Sequence, residues 1–190
     1  TRGDEVWNSS QVWYMPFDDM NDPVTDEISF WPWREAYYTI NVCNFILSRT
    51  TGDDASLSEN MKKIKGQALF LRGYSYYTLA GYYQNPALIT DYANYSSLDG
   101  LYGKNSTYDD VLDQVEKDFA EAMTLLPSRD AGGEWAKGRA TCGAAAGYYA
   151  RTLMQRHKYS DALVVLKDIM NKKYGSYKLM ANYGDNFREG

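Results

Sequence analysis

The sequence predicts an all-α protein: antiparallel helical hairpins joined by long ordered loops. Three observations predict it. Apolar residues recur every three or four positions over several long stretches. Hydroxyl residues followed three positions later by an acid open two of those stretches, as helix N-caps do. Glycine and alanine line the stretches where one helix can approach another closely. No strand of useful length competes, since Pro86-Ala87-Leu88-Ile89-Thr90 is at best a short extended edge.

Composition fits one globular domain. The 190 residues carry 44% apolar and 24% charged side chains, which suffices for a sizeable core and excludes a disordered tail. A formal charge of −5 and a pI near 4.9 exclude a nucleic-acid grip, which needs a surplus of cations on one face. The basic cluster Lys62-Lys63-Ile64-Lys65 reads as a solvated helix face. No apolar run approaches the ~18 residues of a membrane span. Thr1 follows no Met, basic region or apolar stretch, so any targeting segment is expected to lie outside these residues.

Residues 1–31 hold Trp7, Trp13, Tyr14, Phe17 and Trp31 among Asn, Ser, Asp and the prolines Pro16 and Pro23, without a sustained period, and predict a long aromatic-rich loop. Helical repeats are expected over 32–173. Pro32, a good first helical residue, opens the run Trp33, Tyr37, Ile40, Asn44 and Leu47, closed by Arg49 and Gly52. The capping-box pattern Ser56-Leu57-Ser58-Glu59 starts a second helix reaching about Tyr83. Along it Ile64, Ala68, Leu71, Ser75 and Leu79 form one stripe, while Leu69, Phe70, Tyr74, Tyr76 and Tyr77 fill the other sides, so the helix is covered on more than one face. Gly66, Gly73 and Gly81 inside it each cost ~1 kcal/mol relative to Ala, which points to tight packing against another helix.

Thr107-Tyr108-Asp109-Asp110 caps a third helix over about 107–126, with Val111, Val115, Phe119, Ala122 and Leu126 on one stripe before Pro127. A fourth, about 139–155, is built on Ala140, Ala144, Gly147 and Ala150. A fifth runs from Lys158 through Ala162, Val165, Leu166 and Ile169 to about Lys172. Their short linker predicts an antiparallel hairpin of tetratricopeptide character, without a clean 34-residue repeat across the chain. Residues 174–190 begin a following segment.

Several of these stretches together resemble the SusD/RagB family of outer-membrane nutrient-binding lipoproteins. The resemblance rests on Trp33, Tyr37, Ile40 and Asn44 before Phe45-Ile46-Leu47; on Ile64-Lys65-Gly66-Gln67-Ala68 with Phe70-Leu71-Arg72; and on Tyr82-Tyr83-Gln84-Asn85-Pro86-Ala87-Leu88-Ile89. It continues through Tyr108, Val111, Val115, Asp118, Ala122, Leu126 and Pro127, then Gly138-Arg139-Ala140-Thr141, and ends on Tyr177-Lys178-Leu179 with Tyr183 and Phe187. Gln67 stands where the family usually has Glu, and Gln84 replaces its turn glycine. The resemblance implies a SusD-like N-terminal helical portion whose native C-terminal part is missing here. It further implies a non-catalytic, cell-surface protein of the Gram-negative outer membrane, lipid-anchored outside these residues. Such a protein binds oligosaccharide or polysaccharide, or peptide in the RagB branch, and delivers it to a SusC-like TonB-dependent transporter. A scaffold that only docks on the transporter is the rival reading.

Ligand candidates come from the loops. Trp7, Trp13, Tyr14 and Trp31 offer apolar ring faces suited to the C–H side of a pyranose, with Asn and Asp nearby for its hydroxyls. Trp135 and Tyr102, in polar loops, are secondary. Trp33, Tyr37, Tyr74, Tyr76 and Tyr77 are expected mostly in the core. No cofactor or metal site is expected. His157, the one histidine, lies in a helix turn between Arg156 and Lys158, and Cys43 and Cys142 read as buried thiols. No Gly-x-Ser-x-Gly elbow or phosphate-binding glycine loop is present. Asp4, Glu5, Asp18, Asp19, Asp26 and Glu27 read as solvated acids rather than a glycosidase pair. Asp18, Asn21, Asp22 and Asp26 lack the glycine of a calcium loop.

Overall fold

The computed structural model describes residues 27–96 and 103–187. Over them run five α-helices: α1 (Glu27–Arg49), α2 (Glu59–Tyr83), α3 (Tyr108–Leu125), α4 (Cys142–Gln155) and α5 (Tyr159–Met170). Short 3-10 turns fill several connections, and no strand occurs among the described residues. The expected all-α class is the observed one.

Contacts along the helices give their directions. Tyr83 reaches Ser29 while Arg72 reaches Asn44, so α1 and α2 are antiparallel. Arg72 meets Asp118 and Gly66 faces Leu126, which sets α2 against α3 in the same sense. Cys142 N bonds Pro127 O near one end and Gln155 reaches Tyr108 near the other, so α4 returns along α3. Each helix packs chiefly on its chain neighbour. One relation spans a repeat: Arg139 donates to Gln67 (3.1 Å) and Tyr148 meets Tyr74 (5.3 Å), an ascending order that lays α2 and α4 side by side and parallel.

The core is correspondingly serial. Ile40, Tyr76, Leu79, Val111, Val115 and Phe119 fill the space among α1, α2 and α3. Leu69, Ala122, Leu126, Trp135, Cys142 and Ala145 continue it across to α4, and Ala146, Ala150, Leu153, Ala162 and Val165 close the last hairpin. A Cβ on Gly66 would come within 2.9 Å of Leu126 Cγ, and one on Gly73 within 3.2 Å of Asp118 Cβ. Those two glycines therefore admit α3. Gly81 has no such role, since a Cβ there meets no described atom within 4 Å.

Several boundaries differ from the sequence expectation. α1 begins at Glu27, with Pro32 inside it, because Trp33 and Tyr37 pack against the C-terminal end of α2 and Tyr83 Oη donates to the Ser29 carbonyl in the first turn. Residues 27–31 are thus helix rather than loop. The cap of α2 is Ser58, whose hydroxyl accepts from Met61 N at 3.3 Å, whereas Ser56 sits in a 3-10 turn and donates to Asp53 O. α4 starts at Cys142 behind the cap Thr141. Its packed face is Cys142, Ala145, Ala146, Ala150 and Leu153; Ala144 and Gly147 of the expected stripe lie outside that core. The capping box of α3 forms as expected, with Thr107 and Asp110 satisfying each other.

Candidate functional site

The most heavily bonded part of the molecule is buried. Arg72 lies in α2 among apolar residues and donates through Nε (2.8 Å) and Nη2 (2.7 Å) to the two carboxylate oxygens of Asp118 in α3. Its Nη1 donates to Asn44 Oδ1 of α1 at 2.9 Å. Asn44 Nδ2 in turn donates to Ile89 O at 2.7 Å. The Tyr76 hydroxyl donates to the same carbonyl at 2.8 Å and accepts from Ile89 N at 2.7 Å, and Tyr37 Oη donates to Ala87 O at 2.7 Å. Side chains from α1 and α2 thereby satisfy the main chain of the 86–90 segment, supplying the partners a sheet would otherwise provide.

The electrostatics of this cluster follow from burial. Desolvation pushes the Asp118 carboxyl up from its ordinary value, against the pull of the Arg72 guanidinium and the Gln114 amide. Burial also pushes the Cys43 thiol up to about 11, so it stays neutral and unreactive near pH 7. The Tyr37, Asn44, Arg72, Tyr76 and Asp118 side chains are all hydrogen-bonded within the protein, so the cluster is architectural. Sequence reading placed Asn44, Arg72 and Asp118 in the family pattern but missed that they meet. The available signal was three polar residues, each on an otherwise apolar helical stripe.

Of the predicted ligand residues, Trp7, Trp13, Tyr14 and Tyr102 lie outside the described residues, as do Asp18, Asn21, Asp22 and Asp26. Trp31 stands on α1, 48% exposed, with the Arg34 guanidinium 3.9 Å from its ring centroid and Arg34 also paired to Glu35 at 2.8 Å. Trp135 is buried against Leu69, Ala122 and Ala145 and belongs to the core, because a 3-10 turn over Gly133–Ala136 folds it inward. His157 is exposed, with its ring Nδ1 2.7 Å from the Tyr159 hydroxyl. Both cysteines are free and buried. Among the described residues no group of three or more His, Cys, Asp or Glu is arranged to hold a metal ion, and no helix is long and apolar enough to cross a membrane.

A groove of about 340 Å³ runs between the outer sides of α1 and α2, lined by Tyr38, Val42, Ile46, Ile64 and Leu71 among others. Tyr38, Val42, Ile64 and Leu71 are all exposed, which departs from the expectation that Ile64 and Leu71 pack within the core.

Stacked helical hairpins knit by a buried ion pair, with exposed aromatic side chains on α1 and α2, define a helical-repeat scaffold. Comparison with known proteins gives it a family. The model of SusD-like proteins described as starch-binding and associating with the outer membrane matches residues 2–154, and the chain belongs to that family. It is similar to a SusD-like carbohydrate-binding protein of Bacteroides fragilis at 26% identity and TM-score 0.74, covering 88% of this chain and 32% of that one. It shares its fold with a laminarin-binding SusD-like protein at 22% identity and TM-score 0.76, over 94% of this chain and 38% of the other. The same holds for surface glycan-binding protein A of Bacteroides uniformis at 21% identity and TM-score 0.74, over 93% and 38%. The chain thus spans about a third of the length of these structures. No curated protein matches the sequence.

Proposed function

We propose that this chain is the helical-repeat portion of a non-catalytic, cell-surface glycan-binding protein. In this reading it delivers oligosaccharide or polysaccharide to a SusC-like TonB-dependent transporter and is held at the outer membrane by a lipid anchor outside these residues. The observation that carries the reading is the family match over residues 2–154. Trp31, exposed beside Arg34, is the described member of the aromatic group Trp7, Trp13, Tyr14 and Trp31 to which we assign sugar contact. A partly exposed indole gives the C–H face of a pyranose an apolar surface, and neighbouring polar groups take its hydroxyls.

Calorimetry tests this directly. The chain is titrated with maltoheptaose and with laminarin fragments, and Trp7→Ala, Trp13→Ala and Trp31→Ala are compared. We expect binding of at least one sugar, weakened tenfold or more by one of the tryptophan substitutions. Binding of peptides alone would reassign the chain to the peptide-binding RagB branch.

The outer α1–α2 groove favours a second reading, a scaffold that docks on the transporter. Four exposed apolar side chains line that groove, as protein interfaces do at their centres. Absence of any sugar or peptide binding, together with copurification with a β-barrel transporter, would leave this reading standing.

A further inference from the structure

α5 carries two apolar stripes and buries one. Ala162 and Val165, with Ile169 beside them, face α4 and close the last hairpin. Tyr159, Leu163, Leu166 and Met170 recur at steps of four, three and four residues, which at 3.6 residues per turn lines them along one side of the helix. All four are exposed, Leu163 by 51% and Met170 by 80%.

A solvated face elsewhere in this molecule looks different. α3 lies between α2 and α4, and its exposed positions include Asp109, Asp113 and Lys117. α5 has a polar side of its own, holding Asp161 and Lys167, so the exposed stripe is a third face. The end helix of a stacked array closes it with a polar outer surface. A helix with a second apolar stripe has the composition of an interior one.

The spacing specifies the neighbour that would cover it. Side-chain ridges at three- and four-residue steps interdigitate with those of another helix, and no described segment supplies one. The chain after α5 turns to the N-terminal end of α4, where Ser176 N donates to Asp130 Oδ2 at 2.8 Å and the Tyr177 ring packs over Gly143. It leaves the stripe open and exposes Leu179 and Met180 as well.

Size and tethering decide where that helix comes from. Four side chains from each of two copies fall short of the ~800 Å² per partner that a stable interface buries. A segment of the same polypeptide has no such requirement, because its tether removes the translational cost of association. Length for it exists in the relatives, since this chain matches 32–38% of each of the solved structures compared above. Consecutive helices from α1 to α4 also pack antiparallel on one another.

We infer that the Tyr159, Leu163, Leu166 and Met170 stripe is an internal docking face, covered in the full-length protein by an amphipathic helix later in the same polypeptide that runs antiparallel to α5. The inference rests on the packing of α5 and holds whatever ligand the protein takes. Thiol labelling tests it, because Cys43 and Cys142 are both buried and give little background. Leu163→Cys and Leu166→Cys place a thiol on the stripe, and Val164→Cys places one about 100° round the helix from Leu163. Each is introduced into this chain and into the full-length protein, and its reaction with a maleimide is timed. The expected result is labelling at positions 163 and 166 at least tenfold slower in the full-length protein than in this chain, with position 164 reacting equally in both. Equal rates at 163 and 166 in the two proteins overturn the inference. Protection within this chain that grows with its concentration overturns it in favour of a second copy. Protection of the full-length protein only when a β-barrel transporter is bound overturns it in favour of the transporter.

Discussion

Arg72 and Asp118 are the residues whose loss the fold should feel most. Their side chains are 8% and 1% exposed, so removing one partner leaves a charge buried without compensation, which typically costs about 3–5 kcal/mol. Asp118→Ala is therefore expected to lower stability by about that amount in urea denaturation. Replacing both partners by apolar residues, Arg72→Met with Asp118→Leu, should recover most of the loss, because the pair is then removed together with its desolvation penalty. A double substitution as destabilised as Asp118→Ala alone would mean that the Arg72 bonds to Asn44 and the Thr90 carbonyl matter more than the ion pair. These residues also show where sequence reading stops. Asn44, Arg72 and Asp118 were visible as pattern members, but bonds spanning 28 and 46 positions of the chain have no local signature.

The helices and their turns were legible because their causes are local. Thr107 with Asp110 and the stripe from Val111 to Leu126 are short-range signals, and α3 appears within a residue of its expected bounds. The Ser56-to-Glu59 spacing matches a capping box that does not form: Ser56 is held in a 3-10 turn by its bond to Asp53 O, and Ser58, with Met61 rather than an acid three residues on, caps the helix through Met61 N alone. At the end of α2 a non-glycine residue occupies a positive-φ position. Gln84 adopts φ 60° and ψ −66°, and Asn85 N bonds Tyr83 O at 2.7 Å, a γ-turn of the hand that L-residues adopt only with strain. Gln84→Gly is expected to raise stability by about 1 kcal/mol, measured as the denaturation midpoint at unchanged slope. Within α2 itself, two equal substitutions should have opposite signs. Gly66→Ala drives a methyl into Leu126 Cγ and Leu125 Cβ and should destabilise by about 1–3 kcal/mol, whereas Gly81→Ala should stabilise by up to ~1 kcal/mol. Paired thermal melts of the two variants decide the matter.

At the scale of the whole molecule, serial packing implies uneven stability. α2 is covered by α1 on one side and α3 on the other, while α5 packs chiefly on α4 and leaves Tyr159, Leu163, Leu166 and Met170 exposed. Amide hydrogen exchange should therefore be slowest through the middle of α2 and α3 and fastest in α5. Equal protection across all five helices would show that they open as one unit. The α4–α5 hairpin was legible in its short linker, but the parallel neighbourhood of α2 and α4 was not, since Gln67 and Arg139 are 72 positions apart. Gly147, expected on a packed ridge, is exposed instead.

The hydrogen bonds that hold the 86–90 segment fall on its main chain, at the carbonyls of Ala87, Ile89 and Thr90 and the amides of Leu88 and Ile89, while Pro86, Leu88 and Ile89 pack into the apolar interior. A chain held by its peptide groups can exchange its own side chains, apolar for apolar, without losing its course. The evolutionary constraint passes instead to the distant helical positions 37, 44, 72 and 76. Drift in the loop and rigidity in its holders should be the signature that relatives of this domain carry.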